Sequence, residues 1–415
     1  AHAILGAKLY GATVDVISIT NIFAHSKMDI YYDLLQYETI DDIDEIDSLT
    51  IDDEKFKDLL EKVYSADGVV LSTPVYFGDR SSIANKFLQL THKYKGLKNK
   101  AFGVVSVGAK RNGGQETANI YALQEALAQG AIVVGNGPKT SQYGGTVWAG
   151  DPGKALQDDF GLETCYGTGR QVAQLAEIIL LGDSTNIDSL KISYVLTMDT
   201  FDKEYETLLN DHIQTTLGQL KNQNLEINVY NLINNTIYRC IACTVCPSPK
   251  MVDKLKNIDF PYHCVVQTKK DDMKYVQEAL VHSDCIILVG VNSQKELQYR
   301  YQAFMERTRF IRHDDYELTN IPTIGMTINE LGATNNPIFN VKVLTSFIRH
   351  NTFFLKPIDL VLHNGIKIYE DSLNEIIVLL KKIKDGRKKI NPLEISYKAT
   401  GYENKTLDHT AKLRR

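Results

Sequence analysis

Short apolar runs alternate with longer amphipathic stretches along most of the chain. TVDVISI (13–19), GVVLSTP (68–74), AFGVVSVG (101–108) and AIVVGNG (131–137) have strand length, β-branched content and turn residues at their ends. Between them, DEKFKDLLEKVYSA (53–66), SSIANKFLQLTHKY (81–94) and ETANIYALQEALAQG (116–130) carry apolar positions at helical spacing, and GTGRQVAQLAEIILLG (167–182) closes the set. Apolar runs with little polar alternation belong to parallel sheets covered on both faces.

The polar stretch DSTNIDS (183–189) reads as a linker, and after it the order begins again. KISYVLTM (191–198), EINVYNL (226–232), CIILVGV (285–291) and IPTIGMTI (321–328) are strands, with helices over 205–223, 271–284 and 297–310 and further elements at 340–350 and 352–362. Shifted by 217 positions, SADGVVLS (65–72) overlays HSDCIILV (282–289); shifted by 221, AIVV (131–134) overlays TFFL (352–355). The expected fold is therefore α/β, two tandem doubly wound parallel sheets over 1–185 and 190–390, followed by a polar, basic tail over 391–415.

A length of 415 residues agrees with two domains. The net charge of −5 gives no electrostatic reason to expect nucleic acid or an anionic membrane as partner. No apolar run approaches the roughly 20 residues a spanning helix needs. Six cysteines are too few for a disulfide scaffold, so a reducing, cytoplasmic setting is expected.

In open parallel sheets ligands bind beyond the carboxyl ends of the strands, so the loops there are the places to look for chemistry. TPVYFGDRSS (73–82) offers a stiff exit at Pro74, flat faces at Tyr76 and Phe77, and close backbone approach at Gly78. VGAKRNGGQET (107–117) contributes paired glycines, and PKTSQYGGTVWAGDPG (138–153) sets an aromatic beside two more. Together the three loops suit a planar, polycyclic ligand with hydrogen-bonding edges.

STPVYFGDRSS, NGGQETANIYALQEALAQGAIVVGNGP, GGTVWAGDPG and GLETCYGTGRQVAQLAEII resemble the flavodoxin-like NAD(P)H-dependent FMN and quinone reductases, including their iron–sulfur flavoprotein branch. The resemblance runs through most of 10–182 and implies a flavodoxin-like fold. It also implies an FMN site built from Thr73, Pro74, Val75, Tyr76, Phe77, Gly78, Gly108, Gly113, Gly114, Gln115 and Glu116, with Tyr143 and Gly144 near the flavin face. The family's opening strand and phosphate loop have no counterpart here. AHAILGAKLYG (1–11) reads as the end of the helix that follows them, and the start at Ala1 favours a chain that begins part-way through this domain over one that has lost its phosphate anchor. In the second half the matching loops read GVNSQKE (290–296) and TNNPI (334–338), without the aromatics and glycines. The phosphate-loop position reads TMDTFDKEYE (197–206), whose acidic side chains would repel a phosphate, so that half is expected to hold no flavin.

Cys240, Cys243 and Cys246 form C-x2-C-x2-C, a spacing that turns three thiolates toward one centre. The resemblance places cluster ligands here and gives Cys264 as the fourth, across a gap of 17 residues that is longer than the family's. A [4Fe–4S] cluster, a structural zinc site and a vestigial or disulfide-forming set remain alternatives at this point. Cys165 and Cys285 read as small buried hydrophobes. The acidic run 41–54 reads as a solvated loop, and Arg307, Arg309 and Arg312 as a charged helix end.

The expected function is electron transfer from NAD(P)H through FMN to the cluster or to a small-molecule or protein acceptor; the oligomeric state stays open, a homo-oligomer being one option because related reductases commonly associate. Two other readings stand beside it: a plain FMN-dependent quinone or azo reductase with a structural second half, and a non-catalytic subunit stabilised by zinc.

Overall fold

The computed structural model describes residues 1–22, 52–138, 140–151, 153–199, 202–242, 264, 266, 270–292, 298–312, 316–329, 338–361 and 370–391. The N-terminal half contains α1 (His2–Leu9), α2 (Asp53–Ser65), β1 (Gly68–Tyr76), β2 (Asp79–Arg80), α3 (Ser82–Lys93), β3 (Ala101–Gly108), α4 (Gln115–Ala128), β4 (Ile132–Val133), β5 (Gly145–Trp148) and α5 (Asp159–Leu181). Then follow β6 (Leu190–Leu196), α6 (Lys203–Gln219), β7 (Leu225–Asn231), α7 (Met273–Val281), β8 (Cys285–Asn292), α8 (Tyr299–Thr308), β9 (Pro322–Asn329), α9 (Ile338–Phe347), β10 (Phe353–Phe354), β11 (Ile358–Val361) and α10 (Glu370–Arg387).

Local signals account for the element ends. Asp52 caps α2 by accepting from the amides of Glu54 and Lys55, and Phe56, Leu59, Leu60 and Val63 form its buried stripe. Asp202 caps α6 in the same way through the amide of Glu204.

Among the described residues one sheet of eleven strands has the order β2-β1-β3-β4-β10-β9-β8-β6-β7, with β5 beside β3 and β11 beside β9. In the C-terminal half the parallel strands lie as second, first, third, fourth and fifth, which is the flavodoxin-like order. The N-terminal half supplies the last three positions of the same order. The fifth strand is split in both halves, β4 with β5 and β10 with β11. The halves meet where Phe354 pairs antiparallel with Val133, so their strands run in opposite directions.

Two apolar layers cover the sheet. Leu71, Phe102, Val104, Ile286 and Leu288 face the layer formed with α2, α3, α4, α7, α8 and α9. Ile132, Ile192, Ile287, Val289 and Ile324 face α5, α6 and α10. Residues from both halves enter each layer, and alternate positions of β8 feed opposite layers, which explains its unbroken apolar sequence.

Three expectations are corrected. Residues 13–18 form no strand: the segment alternates in sequence, but no described strand lies beside it to complete a ladder. The strand read over 131–137 is only Ile132–Val133, because Gly135 and Gly137 let the chain leave the sheet before it returns as β5. The 183–189 stretch is a packed turn rather than a loose linker, with the Asp183 amide donating to Asp385 at 2.8 Å. Helix α10 is an addition, announced by Leu373, Ile377, Leu380 and Ile383 at helical spacing.

Candidate functional site

The carboxyl ends of β1, β3 and β5 converge at one end of the sheet, where Pro74 pairs with Val107 and Gly108 with Trp148. Beyond β1 the chain turns through Phe77 (φ 50°) and Gly78 (φ 80°), and β2 returns antiparallel. This turn leaves Tyr76 and Phe77 exposed, with open space where a Gly78 Cβ would stand. Gly114 takes φ 103°, and a Cβ there would lie 2.6 Å from Gly78 Cα. The loops after β1 and β3 are thus in backbone contact, and only glycine permits it.

Gln115 builds the second loop. Its Oε1 accepts from the Gly113 amide at 2.7 Å, and its Nε2 donates to the carbonyls of Lys110 at 2.8 Å and Val147 at 3.1 Å. The Ser106 hydroxyl donates to the Gln115 carbonyl at 3.0 Å. With its amide so engaged, Gln115 shapes the loop rather than presenting a free edge. Thr73 is buried and accepts from the Ser81 amide at 3.1 Å, fixing the start of α3. Pro74 and Gly113 are exposed in these loops; Val75 and Glu116 are half-buried.

Trp148 is exposed at the end of β5, a position that sequence reasoning quoted within a loop but did not single out. Its backbone amide donates to Asp158 at 2.7 Å. Asp158 also caps α5 through Gly161 and forms an ion pair with Arg111, whose guanidinium lies over the Phe160 ring. Burial pushes the Asp158 carboxyl up, but the Arg111, Trp148 and Gly161 donors outweigh it and hold it below the ordinary range. Lys110, Arg111, Trp148, Gln157 and Asp158 line a cleft of about 570 Å3 on this side. On the other side a groove of about 1140 Å3 opens at Asp79 and Arg80 and runs between α3 and α4.

Tyr143 and Gly144 stand apart from these loops. A Cβ on the buried Gly144 would press on the Val104 carbonyl, several residues before the end of β3. Tyr143 packs on the apolar layer of α4, accepts from Arg349 of the C-terminal half, and lies under that guanidinium at 5.2 Å.

At the start of α8, which the 217-position offset matches to the start of α3, Asp199 accepts from the amides of Tyr299 at 3.0 Å and Arg300 at 2.8 Å. A carboxylate of the chain thus occupies a helix N-terminus suited to an anion.

Cys243 and Cys246 lie outside the described residues; Cys240 and Cys264 lie within them, free of disulfides and with Cys264 buried. No group of three or more potential ligands occurs among the described residues. The Cys240 amide donates to Glu306 at 3.2 Å. Because α8 runs back from the carboxyl end of β8, its last turn lies toward the amino ends of the C-terminal strands. The antiparallel junction turns those ends the same way as the carboxyl ends of β1, β3 and β5. Contacts join the last turn of α8 to the N-terminal half at Tyr143: Thr308 touches His350 at 3.1 Å, and neighbouring Arg349 holds Tyr143.

Comparison with known proteins adds the following. The NADPH-dependent FMN reductase family profile matches residues 3–142. An iron–sulfur flavoprotein of Methanocaldococcus jannaschii is 38% identical over 143 residues, covering 34% of this chain and 67% of that protein. An iron–sulfur flavoprotein of Methanosarcina thermophila is 33% identical over 138 residues, 32% of this chain and 68% of the relative. A quinone-type NAD(P)H dehydrogenase of Solidesulfovibrio magneticus is 31% identical over 131 residues, 28% and 64% respectively.

Proposed function

Because the chain belongs to the NAD(P)H-dependent FMN reductase and iron–sulfur flavoprotein family, we propose that it carries electrons from NAD(P)H through FMN to a [4Fe–4S] cluster or a small acceptor. FMN is assigned to the N-terminal half and the cluster to Cys240, Cys243, Cys246 and Cys264. The C-terminal half is a second, flavin-free flavodoxin-like unit. Its fit to that role is supported by its strand order and by the offsets that carry Gly68 of β1 onto Cys285 of β8 and Ile132 of β4 onto Phe353 of β10.

The observation that carries the flavin assignment is the backbone contact of Gly114 with Gly78 beneath exposed Tyr76 and Phe77. A flat ring system needs apolar faces to lie against and main-chain groups at its edge, and this turn offers both. Among the described residues no phosphate loop is assigned. When bound, FMN supplies hydride acceptance as an electron pair and single-electron release, the chemistry that joins a nicotinamide to an iron–sulfur centre. The chain's own task is then orientation: Gln115 holds the second loop in shape, the Gly114–Gly78 contact sets it against the first, Thr73 and Ser81 fix the first, and Lys110 sets positive charge beside the cleft, suited to a dinucleotide phosphate. No general base is required. Supporting the electron path is the common direction of the flavin-type loops and the cysteine stems across the antiparallel junction, while contacts from the Cys240 stem through α8, His350 and Arg349 to Tyr143 tie the two halves together.

Anaerobic mixing with NADPH tests the proposal. Bleaching of the flavin band followed by a reduced-cluster paramagnetic signal is expected. A flavin that bleaches in protein lacking iron would leave the plain reductase, and no oxidation of NADPH or NADH would overturn the enzymatic reading.

A further inference from the structure

We infer that the buried Arg307–Asp271 pair is a positioning device that fixes where Cys240 and Cys264 leave the fold, an inference resting on the metal-centre reading above. Arg307 lies in the last turn of α8 with its side chain 1% exposed and that of Asp271 2% exposed. Nη1 donates to Asp271 Oδ1 at 3.2 Å and to the Tyr238 carbonyl at 3.0 Å; Nη2 donates to Asp271 Oδ2 at 2.7 Å and to the Val266 carbonyl at 3.0 Å. Tyr238 lies two residues before Cys240, and Val266 two residues after Cys264. A single planar guanidinium therefore grips both stems of the cysteine segment.

Other contacts tighten the same base. The Tyr238 amide donates to Asp271 at 3.2 Å, Thr236 and Asp272 exchange bonds at 2.8 and 2.9 Å, and Gln277 donates to the Arg307 carbonyl at 3.0 Å. Glu306, next along α8, accepts from the Cys240 amide. The donor chemistry fits a sulfur-ligated centre. Two cysteines free of disulfides leave one base, and the Arg307 guanidinium lies within electrostatic reach of Cys264, its charge suiting an anionic, sulfur-rich group.

A stabilising role alone explains the pair poorly, since well-packed apolar residues commonly match or exceed a buried ion pair in stability. What an apolar residue lacks is the fixed fork that holds two carbonyls and a carboxylate in one plane. Lysine keeps the charge and loses that fork.

The test compares wild type, Arg307→Lys, Asp271→Asn and the control Gly218→Ala, all as full chains reconstituted anaerobically with iron and sulfide. In Arg307→Lys, iron is expected to leave to a chelator about tenfold faster or more, the usual scale for residues that orient metal ligands. The visible circular dichroism of the cluster should change, with near-ultraviolet dichroism of the fold and flavin content retained. In metal-free protein, iodoacetamide should modify Cys264 faster by a similar factor, read by mass spectrometry. Asp271→Asn, which keeps the shape, should move the same readouts in the same direction should Arg307→Lys not fold; Gly218→Ala, at an exposed position of α6 with nothing near it, should move none. Unchanged release, dichroism and alkylation in a folded Arg307→Lys or Asp271→Asn protein would overturn the inference. If wild type takes up no iron, the metal-centre reading falls, and the alkylation rates alone judge whether Arg307 positions the cysteines.

Discussion

Two glycines with left-handed backbone separate folding from flavin binding. Gly114 (φ 103°) and Gly130 (φ 83°) each pay strain when given a Cβ, about 1–2 kcal/mol. Only Gly114 would also press on the 75–78 turn; a Cβ at Gly130 would meet the Lys98 side chain at an ordinary 3.6 Å. Gly114→Ala should therefore weaken FMN binding about tenfold or more, and Gly130→Ala should lower thermal stability while leaving FMN affinity unchanged. Isothermal titration of the two variants checks the contrast. Two buried histidines give the fold a pH dependence. Burial, aided by Arg312, holds His350 at about 3, and burial holds His212 at about 4. Each has an unbonded buried Nδ1. Both are depressed below the unfolded value near 6.5, so the unfolded chain binds the extra proton. Their contribution is complete above about pH 6.5 and is lost as pH falls toward 4, with a combined size on the order of a few kcal/mol. The urea midpoint should fall between pH 7.5 and pH 5, and His350→Gln should flatten the slope; an equal midpoint at both pH values would refute this. Arg307 shows why some residues were opaque in the sequence. ERTRFIRH reads as a charged helix end because the partner, Asp271, lies 36 positions away and burial is set by the third dimension.

Elements were legible where an apolar run was long enough to declare itself. The β6, β8 and β9 strands fall within a residue or two of their predicted bounds, since a central parallel strand must be apolar on both faces. Strand β5 escaped because it is four residues long and opens on Gly145, where a larger side chain would strike Cys165 and Val105. The segment 13–19 misled for the opposite reason: alternation is a property of the segment, whereas a strand needs a neighbour. Helices α5 and α10 show a close packing that sequence does not announce. A Cβ on Gly386 would overlap the Ile178 carbonyl, and one on Gly182 the Lys382 carbonyl. Gly386→Val should thus cost about 1–3 kcal/mol through forced separation of the helices. Gly218, exposed in α6 with nothing near its missing Cβ, should gain about 0.5–1 kcal/mol on change to Ala. Chemical denaturation of the two variants checks both signs.

At the scale of the whole molecule, two half-sheets of opposite direction share one strand pairing and two apolar layers. That geometry turns the flavin-type loops of one half and the cysteine stems of the other toward the same end of the sheet. The loops were readable from sequence because glycines and aromatics sit in contiguous motifs; the stems were readable only as cysteine spacing, because what holds them comes from α8 and Asp271. No helix among the described residues is long and apolar enough to cross a membrane. The most direct test is the cofactor content of the full chain purified without oxygen, measured by elemental analysis, acid-labile sulfide and released flavin. The account predicts one FMN with about four iron and four sulfide per chain. About one zinc with no iron, or protein that neither contains nor takes up FMN, would contradict it.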